Sequence, residues 1–230
     1  MNHKNYLWHY GDSWSTCGNF EDIYSKHIAD GVGLQLRHLG EGGTGNFEIF
    51  SNIIKNDTSY KVGDMILINW SFFSRLTLTE ITGELIGVDN LLVHFPDIAE
   101  KSKINSVSKN FLMDYVNNWS FMEQYKLFKH IALPYFNGLD ERGVQIKMVF
   151  SEQQFPQNNY VSMYYNRVPI ADKNITDLFS KWVLKFEPFY INFINKNGWA
   201  KGESVHYTKG VQHLIANEYL NRIANSINDI

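Results

Sequence analysis

Residues 64–70 read Asp64-Met65-Ile66-Leu67-Ile68-Asn69-Trp70, a nearly unbroken apolar run of strand length. A strand that shows no polar alternation is covered on both faces, which is the environment of a central strand in a parallel sheet. Working outward, residues 6–10 form a second apolar-aromatic run that ends at Gly11, followed by a polar stretch and a helix-like pattern over 20–28. Leu34, Leu36 and Leu39 suggest another strand. It breaks into Gly40-Glu41-Gly42-Gly43-Thr44-Gly45 and resumes as Phe47, Ile49, Phe50, Ile53 and Ile54 at helical spacing. Beyond the central run, 111–136 is helically patterned, Gly138 and Gly143 bracket a turn, and 144–150 (VQIKMVF) reads as a fourth strand. A further helix is expected over 176–195, broken at Pro188, and Val211, Leu214, Ile215, Tyr219, Leu220, Ile223 and Ile227 stripe a last one. Strands that alternate with helices in this way predict an α/β protein, a three-layer sandwich around a parallel sheet of four or five strands.

Two stretches, 76–109 and 151–173, do not fit the alternation and are expected to be long insertions at the ligand end of the sheet. With 230 residues, 44% of them hydrophobic, the chain is read as one domain, 1–230. Twenty-one basic residues against 24 acidic ones, with no Lys/Arg-rich run, argue against nucleic acid as a partner. Cys17 is the only cysteine, which excludes an intramolecular disulfide and a cysteine-based zinc site. Neither a signal-peptide pattern at the start nor an apolar stretch of about 18 residues is visible. The expectation is a soluble chain without a membrane span, cytoplasmic or delivered as part of a larger assembly.

In an open α/β sheet the loops after the strands converge on one crevice, so the polar clusters found there can share a site. Gly11-Asp12-Ser13-Trp14-Ser15 follows the first strand, and its glycine permits a tight turn that presents Ser13. A serine hydroxyl needs a base to become a nucleophile. Glu203-Ser204-Val205-His206 precedes the last helix, and an acid three residues before a histidine can hold the imidazole in the tautomer that accepts a proton from serine.

Tyr10-Gly11-Asp12-Ser13 resembles the first block of the SGNH/GDSL hydrolases, and Glu203-x-x-His206 resembles their terminal Asp-x-x-His block, in the same order and at the same ends of the chain. The stretch from Leu39 to Asn46 is similar to the second block, which makes Gly43 the glycine that offers its N–H to an oxyanion. Two positions depart from the pattern: Glu203 stands for aspartate, and Ile68-Asn69-Trp70-Ser71 replaces Gly-x-Asn-Asp. The resemblance implies a flavodoxin-like fold and a serine esterase without a cofactor or metal. In it Ser13 is nucleophile, His206 base and Glu203 its orienting acid, and Gly43 with the Ser13 amide forms the oxyanion hole, to which Asn69 or Ser71 can add a donor. It also implies an ester substrate, with a short acyl (O-acetyl) group on a carbohydrate as the leading expectation and a lipid or thioester acyl group as the alternative.

Other readings stand beside this one. Gly-Asp-Ser is ordinary turn sequence, and Glu203 and His206 can simply cap a helix. Gly40-x-Gly42-x-x-Gly45 has dinucleotide-binding spacing, with Asp64 as the acid for ribose. The Tyr- and Asn-rich segment 154–167 suits glycan binding, with or without catalysis. Arg75, a few residues after the central strand, and Asn46 are candidate substrate contacts, Arg75 for an anionic group. His213 is read as a surface or packing residue, and His3, His9, His27, His38, His94 and His130 receive no role.

Overall fold

The computed structural model describes residues 4–11, 23–41, 44–71, 76–79, 85–88, 120–150, 177–184 and 209–228. Four strands, β1 (Tyr6–Gly11), β2 (Gln35–His38), β3 (Met65–Trp70) and β6 (Gln145–Phe150), form an all-parallel sheet in the order β2-β1-β3-β6. A parallel bridge from Met148 to Val183 lengthens the sheet on the β6 side, where Leu184 N donates to Met148 O and Met148 N donates to Trp182 O, both at 2.9 Å. This is the doubly wound order of a three-layer sandwich. All six residues of β3 are buried, as its apolar run requires.

Alternate residues of each strand face opposite layers. Trp8, Tyr10, Ile66, Ile68, Trp70, Ile146, Met148 and Phe150 pack beneath α2 (Asn46–Lys55) and the helical stretch α3 (Ser120–Leu127) and α4 (Leu133–Glu141), together with Phe50, Phe128 and Phe136. Leu7, Met65, Leu67 and Val149 pack beneath α1 (Tyr24–Gly31) and α5 (Lys209–Asn228), with Ile28, Ile215, Tyr219 and Ile223. A π-turn over Phe128–Ala132 joins α3 to α4. It lies just before Pro134, whose missing N–H and bulky ring interrupt the regular ladder there.

Two local expectations need correction. Gly138 does not bound a turn but lies inside α4; the helix ends beyond it, where Gly143 at φ +79° takes the left-handed conformation and leads into β6. Of the segment expected as a helix over 176–195, residues 177–184 are described, and beyond 177–178 they run as turn and bridge rather than as helix. Phe179, Trp182 and Leu184 are instead buried around the β6 edge, because the open backbone of Met148 offers hydrogen bonds that a helix would forgo. Within 76–109, β4 (Leu76–Thr79) and β5 (Leu85–Val88) pair as an antiparallel ribbon near α2. The expected insertion 151–173 lies outside the described residues.

Asp64, fully buried at the entry to β3, holds the far end of the sheet together. Its Oδ1 accepts Tyr6 N at 2.9 Å, and Oδ2 accepts Trp8 Nε1 at 2.9 Å and Lys61 N at 3.1 Å. Both carboxylate oxygens are thus committed to β1 and to the preceding turn, at the end of the strand opposite the crevice. The acid that the dinucleotide reading needs has a structural task instead.

Candidate active site

Because β1, β2 and β3 run parallel, the loops after Gly11, His38 and Trp70 leave the sheet at one edge. Gly11 is the meeting point. It sits beside Asn69 in the sheet register, and its carbonyl accepts Glu41 N at 2.9 Å and the Thr44 hydroxyl at 3.4 Å. Thr44 Oγ1 also lies within reach of Glu41 O, at 2.9 Å. The residues on either side of Gly42 and Gly43 are therefore laced to the end of the strand that Ser13 follows. Leu39 N donates to His9 O at 2.8 Å and extends the same seam.

The last helix reaches that edge as well. Gln212, in the first turn of α5, accepts Tyr24 N through Oε1 at 2.9 Å, where α1 begins. Further along, His213 stacks on His27 with ring centroids 3.8 Å apart, and Leu220 lies against Gly31 at the end of α1. The two helices run in the same direction, so the start of α5 and the start of α1 share the crevice end of the sheet. His206 precedes Lys209 by three residues.

Ser13, Gly43, Arg75, Glu203 and His206 lie outside the described residues. Of the other predicted site residues, Ser71 is fully buried directly after β3, and Asn69 is 4% exposed with its Nδ2 donating to Tyr219 on α5 at 2.8 Å. Asn46 opens α2, buried, and donates through Nδ2 to Gln124 Oε1 on α3 at 2.7 Å. Its Oδ1 is buried and makes no hydrogen bond among the described residues.

Sequence reasoning overlooked a buried polar cluster below Gly11 on the α1/α5 side. His9 and His38 pair in register, and their Nδ1 atoms lie 3.0 Å apart, a contact that holds one hydrogen. On its other side His9 Nε2 lies 3.1 Å from the Tyr24 hydroxyl, and the Tyr24 ring packs on Tyr219 with centroids 5.4 Å apart. Burial pushes the His9 imidazole well below its ordinary value of 6.5; His38 adds to the effect and the Asn69 side chain opposes it. Burial lowers His38 too. The available signal was a histidine inside the otherwise apolar strand Tyr6–Gly11, two residues before the turn to Ser13.

Among the described residues, no group of three His, Cys, Asp or Glu side chains is arranged to hold a metal, and no helix is long and apolar enough to cross a membrane. On the other side of the sheet the Tyr10 hydroxyl lies 2.7 Å from that of Tyr60, which donates to Ile53 O, and burial raises Tyr10 to about 12. These tyrosines stay neutral and belong to the core.

Compared by sequence, the chain matches no protein-family profile and no curated protein. Compared by structure, it aligns over 98% of its length with the whole of the psychrotrophic esterase EstA from a Pseudoalteromonas species, at a TM-score of 0.52 and 14% identity. The fold is that of the SGNH hydrolases. A Slackia heliotrinireducens protein assigned to the SGNH hydrolases aligns over 96% of this chain and all of its own, with a TM-score of 0.53 at 9% identity. A Corynascus carbohydrate esterase family 2 enzyme with a carbohydrate-binding domain aligns over 98% of this chain and 67% of its own, with a TM-score of 0.50 at 10% identity. At these identities the likeness to the SGNH hydrolases is one of architecture, shared over nearly the entire chain.

Proposed function

We propose that the chain is an SGNH-type serine esterase. The observation that carries this reading is the convergence at Gly11: the strand end before Ser13, the flanks of Gly43 and, through Gln212 and Tyr24, the helix that follows His206 are tied to one edge of the sheet. A chain step spans at most about 3.6 Å, which keeps Ser13 within about 7 Å of Gly11 and His206 within about 11 Å of Lys209. Covalent reach and hydrogen bonding thus favour a shared site for nucleophile and base.

In this reading Ser13 Oγ attacks the ester carbonyl while His206 takes its proton and Glu203 orients the imidazole. Gly43 N–H and Ser13 N–H stabilise the tetrahedral oxyanion. The alcohol leaves with the proton from His206, and water, activated by the same base, releases the acyl group. Asn69 and Ser71, at the crevice end of β3, are the candidates for a third oxyanion donor. Asn46, at the start of α2, remains a candidate substrate contact, and Arg75 is the candidate partner for an anionic group.

For substrate we favour a short acyl ester of a carbohydrate. The polar, aromatic sequence of 154–167 suits sugar faces better than lipid chains, and one structural neighbour is a carbohydrate esterase. Turnover of p-nitrophenyl acetate, p-nitrophenyl butyrate and an O-acetylated oligosaccharide by wild type and Ser13→Ala tests both levels. The expected result is release of acetate that falls by about a thousandfold or more in Ser13→Ala. Equal rates in the two proteins would remove the esterase reading; a preference for longer acyl chains would remove the carbohydrate one.

A further inference from the structure

The cluster below Gly11 joins β1, which precedes Ser13, to α1, which follows it. His9 lies on β1, four residues before Ser13, and Tyr24 is the first residue of α1. His9 Nε2 and the Tyr24 hydroxyl, 3.1 Å apart, link the two elements. The Tyr24 backbone N–H is held in turn by Gln212 in the first turn of α5, so the same tyrosine touches the helix that follows His206. His9 is fully buried, and His38 on β2 supports it from the opposite side at 3.0 Å. A polar side chain inside a parallel strand costs stability unless hydrogen-bonded, and a leucine would fill this position in the core.

We propose that His9 is a positioning residue for the nucleophile: its Nε2 contact with Tyr24 ties the end of β1, four residues before Ser13, to the start of α1 and, through Gln212, to the start of α5. This inference rests on the serine esterase reading. The two nitrogens of His9 make separable contributions. The Nδ1 side faces the half-buried His38 and serves packing of β1 on β2, while the Nε2 side ties β1 to α1.

Glutamine and asparagine separate them. The amide of His9→Gln reaches the place of Nε2 and can keep the Tyr24 contact; that of His9→Asn reaches the place of Nδ1 and can keep His38 but not Tyr24. The expected result is that His9→Asn lowers kcat by about tenfold or more with KM within about twofold, as misplacement of a reacting group does. His9→Gln restores most of the rate although both variants lose comparable thermal stability. A rate loss that follows Tm in both variants, with no difference between them at equal stability, would make His9 merely structural and overturn the proposal.

If His9→Asn does not fold, Tyr24→Phe decides, because it removes one oxygen and leaves the ring. A kcat reduced about tenfold at unchanged KM supports the proposal, and an unchanged kcat overturns it. Hydrogen exchange of the 12–22 amides is run on the same samples. Faster exchange in His9→Asn than in His9→Gln supports the positioning of 12–22 by His9 even if Ser13→Ala has shown that the esterase reading is wrong, and equal exchange contradicts it.

Discussion

The two faces of the sheet are built on different principles. Beneath α2, α3 and α4 the core is aromatic: Trp70 meets Phe128 edge-to-face at 4.8 Å, and Phe136 touches Phe50, Phe179 and Trp182. Beneath α1 and α5 the sheet contributes aliphatic residues at its entry end, but His9 and Asn69 at its crevice end, where Tyr24, Tyr219 and Gln212 hydrogen-bond to the strands or to one another's helices. The first face stabilises through area and shape, which are indifferent to direction. The second spends part of its burial on directional contacts, and those lie just below the loops assigned to catalysis. Stability and alignment are thus assigned to opposite sides of one sheet.

The strongest challenge to that division is Phe136→Ala. Deleting this fully buried ring should cost about 3–5 kcal/mol in urea denaturation, while the fraction that remains folded keeps its turnover per molecule. A comparable loss of kcat at full folding would show that the aromatic face also aligns the site. Asn69→Leu probes the other face. It removes the hydrogen bond to Tyr219 and should cost only about 1 kcal/mol of stability, yet lower kcat about tenfold. An unchanged kcat would separate Asn69 from the site.

A smaller effect lies in pH. Folding lowers the pKa of His9 and His38, so below 6.5 the unfolded chain takes up protons that the folded chain excludes. Their contribution is fully present above 6.5 and is lost as pH falls toward the folded values. The groups that face His9 among the described residues are His38, Tyr24 and the Asn69 amide, and none is a carboxylate that would reverse the sign. Urea denaturation at pH 7.5, 6.0 and 5.0 should therefore show stability declining toward acid, less steeply in His9→Gln. Parallel slopes in the two proteins would mean that His9 is not the group excluded from protonation.

Much of the fold was legible in sequence because burial on both faces leaves an unbroken apolar run, and residues 64–70 carry one. The α2 and α5 stripes were legible for the same reason, since helical periodicity reports a single buried face. The 177–184 segment was not, because Phe179 and Trp182 are three residues apart in a helix and in an irregular turn alike; only the free edge of β6 distinguishes the two outcomes. The motifs that suggest a site, Ser13 with Gly43 and His206, were legible as residue types that follow apolar runs or precede the last helical stripe. His9 and His38 were not connected, since their pairing depends on the register of β1 against β2, which no spacing between positions 9 and 38 reveals. Asp64 was partly legible: its place at the start of the apolar run puts it at the wrong end of the strand for a ribose ligand, but its backbone and indole donors depend on the register of β1 against β3.

The central claim is that the loop after Gly11 presents an activated Ser13 to a base delivered by the start of α5. Reaction with a fluorophosphonate probe, followed by intact-mass analysis and peptide mapping, tests it most directly, with Ser13→Ala and His206→Ala alongside. The account predicts a single adduct on Ser13 in the wild type, none in Ser13→Ala, and labelling slowed by about a thousandfold in His206→Ala, as loss of the general base requires. A wild-type protein that is folded but unlabelled, or one labelled as fast without His206, would contradict it.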